Sequence, residues 1–289
     1  MTALASTCRP EVPPERLRDI ARAAEDSGLD ELWLWEDCFW GGAMSSAAAL
    51  LAWTSRLRVG IGVLPVPLRN VALTAMETST LYRLFPGRVT VGVGHGVQDW
   101  MGQVGARADS PVTLLGEYIS ALRALMRGET VTAQGRYVRL DDVTLGWPPA
   151  PPAAIFSAAA GPRTLRLSGE LADGTVLDSS TTAERVREAR RLVDEGRAAA
   201  GRTDPHSLVV YLRTLTGPGA QDRLAREIEQ GNVQPDSAVV AGDAPAIAEA
   251  VRFWADAGAD TVALYPSSDT LDPAAFIRFT AEKVRPLIG

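Results

Sequence analysis

Two patterns of hydrophobic and polar residues alternate along the chain. Short apolar or β-branched runs are each followed by a turn and then by a segment whose apolar residues recur every three to four positions. The first pattern predicts a buried strand, and the second predicts a helix with one apolar face. The predicted strands are residues 2–6, 31–35, 57–64, 88–93, 154–157, 175–177, 208–214 and 261–264.

The alternation of strands and helices limits the fold class to α/β. Parallel strands joined by helices form either an open doubly wound sheet or a closed barrel. Eight strand–helix units favour a single (β/α)8 TIM-type barrel that occupies residues 1–289 as one domain. We expect insertions after strands 4 and 7, with a long loop over 97–110 and an irregular segment over 217–234 that contains a short helix, and a β-hairpin near 130–145. The open sheet remains the alternative on pattern alone.

Capping residues mark the starts of three predicted helices. Thr181 and Glu184 have the spacing of a capping box, in which each side chain bonds the backbone N–H at the other's position. Asp243 and Asp272 are expected to cap later helices, because a short carboxylate accepts a hydrogen bond from a free N–H group at a helix start. These residues set the boundaries of the helices that follow strands 6, 7 and 8.

Composition and charge exclude several classes of protein. The net charge of −6 argues against nucleic acid as the main partner. No run approaches 18 consecutive apolar residues, and the N-terminus lacks the pattern of a secretion signal, so we expect a cytoplasmic protein without a membrane partner. The two cysteines and two histidines have no metal-ligand spacing, and we expect no metal site.

The C-terminal ends of the strands carry the active site in barrel enzymes. Three of these ends, at residues 60–65, 92–96 and 157–161, are rich in glycine or alanine. Small residues there let a flat ligand lie directly against the backbone, although a flexible loop is the alternative for 92–96. The glycines of 92–96 lack the spacing of a dinucleotide fingerprint, so we reject a Rossmann site.

Four side chains at these ends are candidates for chemistry. His95 lies between glycines and is a candidate for proton transfer or hydrogen bonding, with a structural role as the alternative. Glu36 and Asp37 are adjacent, so on a strand at most one would enter the pocket. Cys38 has no visible base partner, and we favour a role as a small residue over a role as a nucleophile.

A helix start follows directly after the fifth predicted strand. Gly161, Pro162 and Arg163 form this start. Free backbone N–H groups beside a guanidinium group can bind a phosphate. A plain helix start is the alternative interpretation.

Segments in order along most of the chain resemble one protein family. They are residues 28–34, 36–37, 56–64, 81–89, 94–96, 160–165, 172–174, 242–243 and 256–260. Together they resemble the luciferase-like oxidoreductases, and within that family the branch that uses the deazaflavin coenzyme F420.

The resemblance implies a barrel that binds the deazaflavin ring at the C-terminal ends of its strands, acts on a small-molecule substrate and forms a homodimer. It also implies a cis peptide bond between Gly62 and Val63, in a bulge of the third strand behind the ring. The cofactor-binding residues expected from the resemblance and from the helix start are Asp37, Cys38, Gly62, Val63, Leu64, Gly94, His95, Ala159, Ala160, Gly161, Pro162 and Arg163.

The chain departs from the family pattern in three places. Cys38 stands where many deazaflavin enzymes have histidine, and Val97 stands where some sugar-phosphate-oxidising members have an acidic residue. Residues 178–181 also lack the lysine of a sugar-phosphate site. His95 and Asp37 are therefore the candidates for a catalytic role.

Three functions are consistent with the sequence. The first is an F420-dependent oxidoreductase that transfers a hydride between C5 of the deazaflavin and a small organic substrate. The second is an FMN-dependent luciferase-like monooxygenase, because oxygen chemistry needs a flavin. The third is a non-catalytic protein that binds the coenzyme or only dimerises.

Overall fold

Eight parallel strands close into a ring in the computed structural model, which describes residues 2–267 and 272–288. The ring runs through β1, β2, β3, β4, β7, β8, β9 and β11 and returns to β1, because β8 also pairs with β9. This closure confirms the barrel and eliminates the open sheet. The ring strands are β1 (Ala3–Thr7), β2 (Glu31–Leu34), β3 (Arg58–Pro65), β4 (Val89–Gly94), β7 (Ile155–Ala158), β8 (Gly174–Leu177), β9 (Ser207–Leu215) and β11 (Thr261–Pro266).

Helices and short irregular elements connect the strands. The α-helices are α1 (Leu17–Asp26), α2 (Ala43–Ala52), α3 (Val71–Leu84), α4 (Gln98–Gln103), α5 (Pro111–Met126), α6 (Pro162–Leu171), α7 (Ala183–Ala199), α8 (Ala220–Glu229), α9 (Ala244–Ala257) and α10 (Pro273–Phe279). Three short 3₁₀ turns (Pro14–Arg16, Val66–Leu68, Arg285–Leu287) and a π-helical turn (Thr280–Val284) complete the helical set. The strands outside the ring are β5 (Val131–Gln134), β6 (Arg139–Val143) and β10 (Val239–Ala241).

The insertions agree with the prediction in place but not in every detail. The predicted hairpin is the antiparallel pair β5–β6. The expected long loop after β4 contains the short helix α4 instead, and the insertion after β9 holds α8 together with β10, which the sequence did not predict. The three residues of β10 extend the sheet beside the C-terminal end of β9. Both insertions stand at the end of the barrel where the cavity opens.

The capping predictions hold at two of three helices. Asp243 accepts a hydrogen bond from the N–H of Ala246, and Asp272 accepts one from Ala274. The capping box at Thr181 is wrong by one residue, because α7 is capped by Thr182, whose hydroxyl accepts from the N–H of Arg185.

Large side chains fill the barrel interior because small residues stand opposite them. A Cβ atom added to Gly60 would lie 2.5 Å from the ring of Trp33, and one added to Gly174 would lie 2.5 Å from the ring of Phe156. The centroids of these two rings are 6.1 Å apart. The interior is thus a packed layer, as the barrel geometry requires, and the open space lies above it.

Helices α6 and α7 approach each other with backbone against backbone. A Cβ atom on Gly169 would lie 2.0 Å from the carbonyl oxygen of Val193, and one on Gly196 would lie 2.0 Å from that of Arg166. No side chain fits at either crossing point, so the separation of the two helices depends on these glycines.

Tyr211 connects two sides of the barrel. It lies on β9 with only 6% of its surface exposed, and its hydroxyl donates a hydrogen bond of 2.9 Å to the carbonyl oxygen of Gly62 on β3. We expect Tyr211→Phe to lower the free energy of unfolding by about 1–3 kcal/mol, because it leaves a buried carbonyl group without this donor. Urea unfolding of the wild type and the variant measures the difference.

Tyr265→Phe is the matched control for Tyr211→Phe. The Tyr265 hydroxyl bonds the hydroxyl of Ser179 at 2.8 Å, in a half-buried position that water can reach. The same chemical change should therefore cost less there, below about 1 kcal/mol. Equal losses in the two variants would contradict the role assigned to the Tyr211 hydrogen bond.

His206 makes stability depend on pH. It is 9% exposed, its Nε2 lies 2.8 Å from the hydroxyl of Thr175, and burial together with nearby arginines lowers its pKa from 6.5 to about 4. As the pH falls from 6.5 towards 4, the unfolded chain takes up a proton that the folded chain does not, so folding loses stability, by about 3 kcal/mol at most.

His206→Gln should remove that loss, because the amide keeps a hydrogen-bonding group but does not titrate. The measurement is urea unfolding at pH values of about 7 and about 5, where His206 accounts for a loss of about 2 kcal/mol in the wild type. If the two proteins lose the same free energy between these pH values, the low pKa of His206 is contradicted.

Candidate functional site

A cavity of about 240 Å³ opens at the C-terminal ends of the strands. It is formed by residues from the ends of six strands and from α4, which is where barrel enzymes carry their chemistry. Its lining residues are Trp35, Glu36, Asp37, Cys38, Gly62, Val63, Pro65, Gly94, His95, Gly96, Val97, Trp100, Met101, Ala158, Ala159, Ala160, Val176, Asp178 and Tyr211.

The bulge of β3 supplies part of the cavity wall. The register between β3 and β4 shifts between Ile61 and Leu64, and the peptide bond between Gly62 and Val63 is cis, which confirms the expectation from the resemblance. The side chain of Val63 enters the space beside two glycines of β4. A Cβ atom on Gly92 or Gly94 would lie 2.8 or 2.7 Å from a methyl group of Val63. These glycines are therefore required for the shape of the wall.

Glu36 lines the cavity, but its carboxylate is engaged in holding the structure together. It accepts two hydrogen bonds from the Arg69 guanidinium, at 3.3 and 3.2 Å, and one of 2.8 Å from the N–H of Ala43 at the start of α2. Glu36 and Asp37 are both among the lining residues, and the prediction that at most one of the two side chains enters the pocket directly stays a prediction. Strand β2 ends at Leu34, so the alternation of faces no longer applies at these two residues.

Asp37 presents a carboxylate that receives one side-chain donor among the described residues. The indole N–H of Trp35 donates a hydrogen bond of 2.8 Å to Oδ2 of Asp37. Burial raises the pKa of Asp37 above its ordinary value, against the lowering effect of this hydrogen bond. A half-buried carboxyl group of this kind is suited to hold or accept a proton at the cavity.

Cys38 lines the cavity beside these carboxylates. Burial, and then the negative charges of Glu36 and Asp37, raise the pKa of its thiol. A neutral thiol is a poor nucleophile, which supports its interpretation as a small wall residue.

His95 lies in the cavity wall with its ring oriented by the backbone. Its Nδ1 is 3.0 Å from the carbonyl oxygen of Gly96. Because a carbonyl oxygen only accepts, we infer that Nδ1 carries a proton, which in the neutral ring leaves Nε2 as the acceptor. The side-chain amide of Gln98 donates to the carbonyl oxygen of His95 at 3.0 Å and so fixes the same turn.

The remaining predicted binding residues fall into two groups. Ala159 and Ala160 line the cavity, whereas Gly161, Pro162 and Arg163 are exposed at the start of α6, beyond the lining. Leu64 is the exception, because its side chain is 1% exposed and packs in the apolar layer between the barrel and the helices. The bulge at Val63 turns this side chain outward, so it does not reach the cavity.

Tyr211, Trp35 and Met101 are lining residues that the sequence did not single out. The first two lie within or directly after buried strands, where both faces are apolar and the alternation gives no orientation. A hydroxyl group within the apolar run 208–212 was the available signal for Tyr211. Asp178 lies at a strand end that was recognised, and it also lines the cavity.

Two other features are absent from the described residues. No group of three or more metal-binding side chains is found in residues 2–267 and 272–288. Within these same ranges, none of the helices has the length and apolar character needed to cross a membrane.

The chain is similar in sequence to known proteins over about two thirds of its length. A 5,10-methylenetetrahydromethanopterin reductase of Methanolobus tindarius is 29% identical over 201 residues, which are 70% of this chain and 61% of the relative. An F420-dependent glucose-6-phosphate dehydrogenase of Kineococcus radiotolerans is 32% identical over 207 residues, which are 66% of this chain and 60% of the relative. The chain thus spans about three fifths of the length of these two relatives.

The fold and the family follow from two further comparisons. The structure of the coenzyme F420 dependent tetrahydromethanopterin reductase from Methanopyrus kandleri superposes with a TM-score of 0.84 at 19% identity, covering 100% of this chain and 99% of the other, which shows a shared fold. The family model described as luciferase-like monooxygenase matches residues 2–261. The chain therefore belongs to the luciferase-like family of flavin- and deazaflavin-dependent oxidoreductases.

Proposed function

We propose that this chain is a coenzyme F420-dependent oxidoreductase that transfers a hydride between C5 of the deazaflavin and a small organic substrate. The observation that carries the proposal is the cavity wall, which is built from backbone and small side chains at Gly62, Gly94 and Ala158–Ala160. Such a wall admits the face of a flat ring system. Support for F420 comes from the name of one similar protein, the F420-dependent glucose-6-phosphate dehydrogenase of Kineococcus radiotolerans.

The residues present fit a ring with a phosphate-bearing side chain. The bulge at Gly62–Val63 and the loop at Gly94 would lie against the ring, and Ala159 and Ala160 would lead towards its side chain. Gly161 and Arg163 would then meet the phosphate, because the first N–H groups of α6 are free and the guanidinium is exposed beside them.

The bound deazaflavin supplies the hydride chemistry. The protein supplies a proton site and a restricted space. His95 would take or give the proton of the substrate oxygen at Nε2, and Asp37 would hold a second proton site under the control of its Trp35 hydrogen bond. The side chains of Trp100 and Met101 on α4 close one side of the cavity and would exclude water from the reacting groups.

The description of the matching family supports a second candidate, an FMN-dependent monooxygenase. The same wall would accept an isoalloxazine ring, so the two candidates differ in the cofactor and not in the protein frame. The homodimer implied by the family resemblance stays a prediction, which sedimentation of the purified chain tests.

Separate titrations of the purified protein with F420 and FMN distinguish the candidates. We expect saturable binding of F420, followed by its absorbance and by quenching of the fluorescence of the tryptophans in the cavity wall. Binding of FMN without F420 would overturn the leading proposal and favour the monooxygenase. Binding of neither would favour a non-catalytic protein.

His95→Ala should separate catalysis from cofactor binding. With a substrate found by screening, we expect kcat to fall by about 100-fold or more, because the proton site is lost, while the Kd for F420 changes by less than about threefold. Asp99→Ala is the control and should change kcat little, since Asp99 is exposed on α4, accepts a hydrogen bond from Arg107 and is not among the lining residues. Unchanged kcat in His95→Ala would remove His95 from the mechanism.

A further inference from the structure

We propose that the open side of the cavity takes an uncharged, largely apolar compound and rejects anions such as phosphate esters. This inference rests on the proposed function, because it names the substrate class of the same site. It concerns the side chains around the cavity mouth and what each of them offers to a ligand.

Apolar side chains dominate the cavity and continue onto its rim. Trp100 and Met101 form part of the wall. Val97 lines the cavity and is 48% exposed, and Phe39 and Trp40, which follow the lining residue Cys38, are 63% and 62% exposed. Large apolar residues with this exposure beside a cavity are typical of a surface that an apolar ligand covers.

Three arginines near the cavity are already paired with carboxylates of the protein, and Arg163, whose exposed guanidinium is assigned to the cofactor phosphate, lies outside the lining. Arg69, behind the wall, bonds Glu36 and Glu77 at 3.2 and 2.6 Å. Arg213, next to the rim residue Ser179, bonds Glu227 at 2.7 Å.

Arg9, which follows the end of β1, is also paired with a carboxylate, that of Glu11 at 2.6 Å. No lysine or arginine of residues 2–267 and 272–288 is among the lining residues. An anionic group inside would therefore meet no free cation to offset its loss of water.

The acidic groups in the lining oppose an anion without requiring a cation. Asp37 receives the indole N–H of Trp35, and Asp178 receives the N–H and the hydroxyl of Ser180, at 2.8 and 2.5 Å. Both carboxylates thus have donors from the protein, which lowers their demand for a positively charged ligand. A neutral compound with one hydroxyl or carbonyl group is the class that meets all these conditions.

Three probes of one size separate the ligand classes. Cyclohexanol is neutral, cyclohexylamine is a cation at neutral pH, and cyclohexyl phosphate is an anion. Each is titrated into the protein with and without saturating F420, and binding is followed by tryptophan fluorescence and calorimetry. We expect cyclohexanol to bind at least about tenfold more tightly than either charged probe. Tighter or equal binding of a charged probe, or no saturable binding of any probe, overturns the proposal.

A pair of matched variants tests whether the cavity rejects anions because no cation lines it. Val97→Lys places an ammonium group at the cavity wall, and Val104→Lys places one at a residue that is 46% exposed but outside the lining. We expect Val97→Lys alone to strengthen binding of cyclohexyl phosphate at least about fivefold, with little change for cyclohexanol. Equal effects of the two variants, or no effect of Val97→Lys, overturn the proposal that the cavity rejects anions because no cation lines it.

The F420 titration keeps the two proposals separate. If F420 binds but the probes are not discriminated as expected, only the substrate class is wrong. If F420 does not bind but the neutral probe is preferred, the cofactor assignment is wrong and the character of the cavity stands.

Discussion

The packing of Val63 against Gly92 and Gly94 is the contact on which the cavity depends. A side chain at either glycine would come within 2.8 Å of Val63, so β3 could no longer form its bulge beside β4. That bulge aims the carbonyl group of Gly62 at the hydroxyl of Tyr211 across the barrel. The cavity wall, the barrel interior and β9 therefore all depend on the close packing of Val63, which Gly92 and Gly94 allow because they have no side chain.

Partners decide what each carboxylate at the end of β2 can do. Glu36 and Asp37 are neighbours in sequence and both line the cavity. Glu36 is bound by Arg69 and by the start of α2, which ties the loop to the helix layer. Within the described residues, Asp37 receives one side-chain hydrogen bond, from the indole of Trp35, which leaves its other oxygen to a ligand. The two residues are adjacent in the sequence, but their different hydrogen-bond partners give them different roles.

The sequence predicts the barrel well because its evidence is local and repeated. Each strand–helix unit has its own apolar pattern, and the glycines at the strand ends mark the open side. The direction in which a side chain points from a strand is harder to predict, since both faces of a barrel strand are apolar. Tyr211 was missed for this reason, and Leu64 was placed at the ligand although the bulge turns its side chain outward.

Short elements and exact boundaries also escaped the sequence. The three residues of β10 carry too little pattern, and they form a strand only because β9 is long enough to pair with them. Thr181 and Thr182 have the same capping chemistry, so only the path of the chain decides between them.

The glycine contact between α6 and α7 links a remote surface to the cavity. Helix α6 begins at Pro162, two residues after the lining residue Ala160, and it packs against α7 at Gly169 and Gly196. Because backbone meets backbone there, α6 cannot move closer to α7. The contact acts as a mechanical stop that sets how far the start of α6 stands from the barrel mouth. A substitution at that crossing would thus move the start of α6 relative to the cavity, although the substituted residue lies far from it.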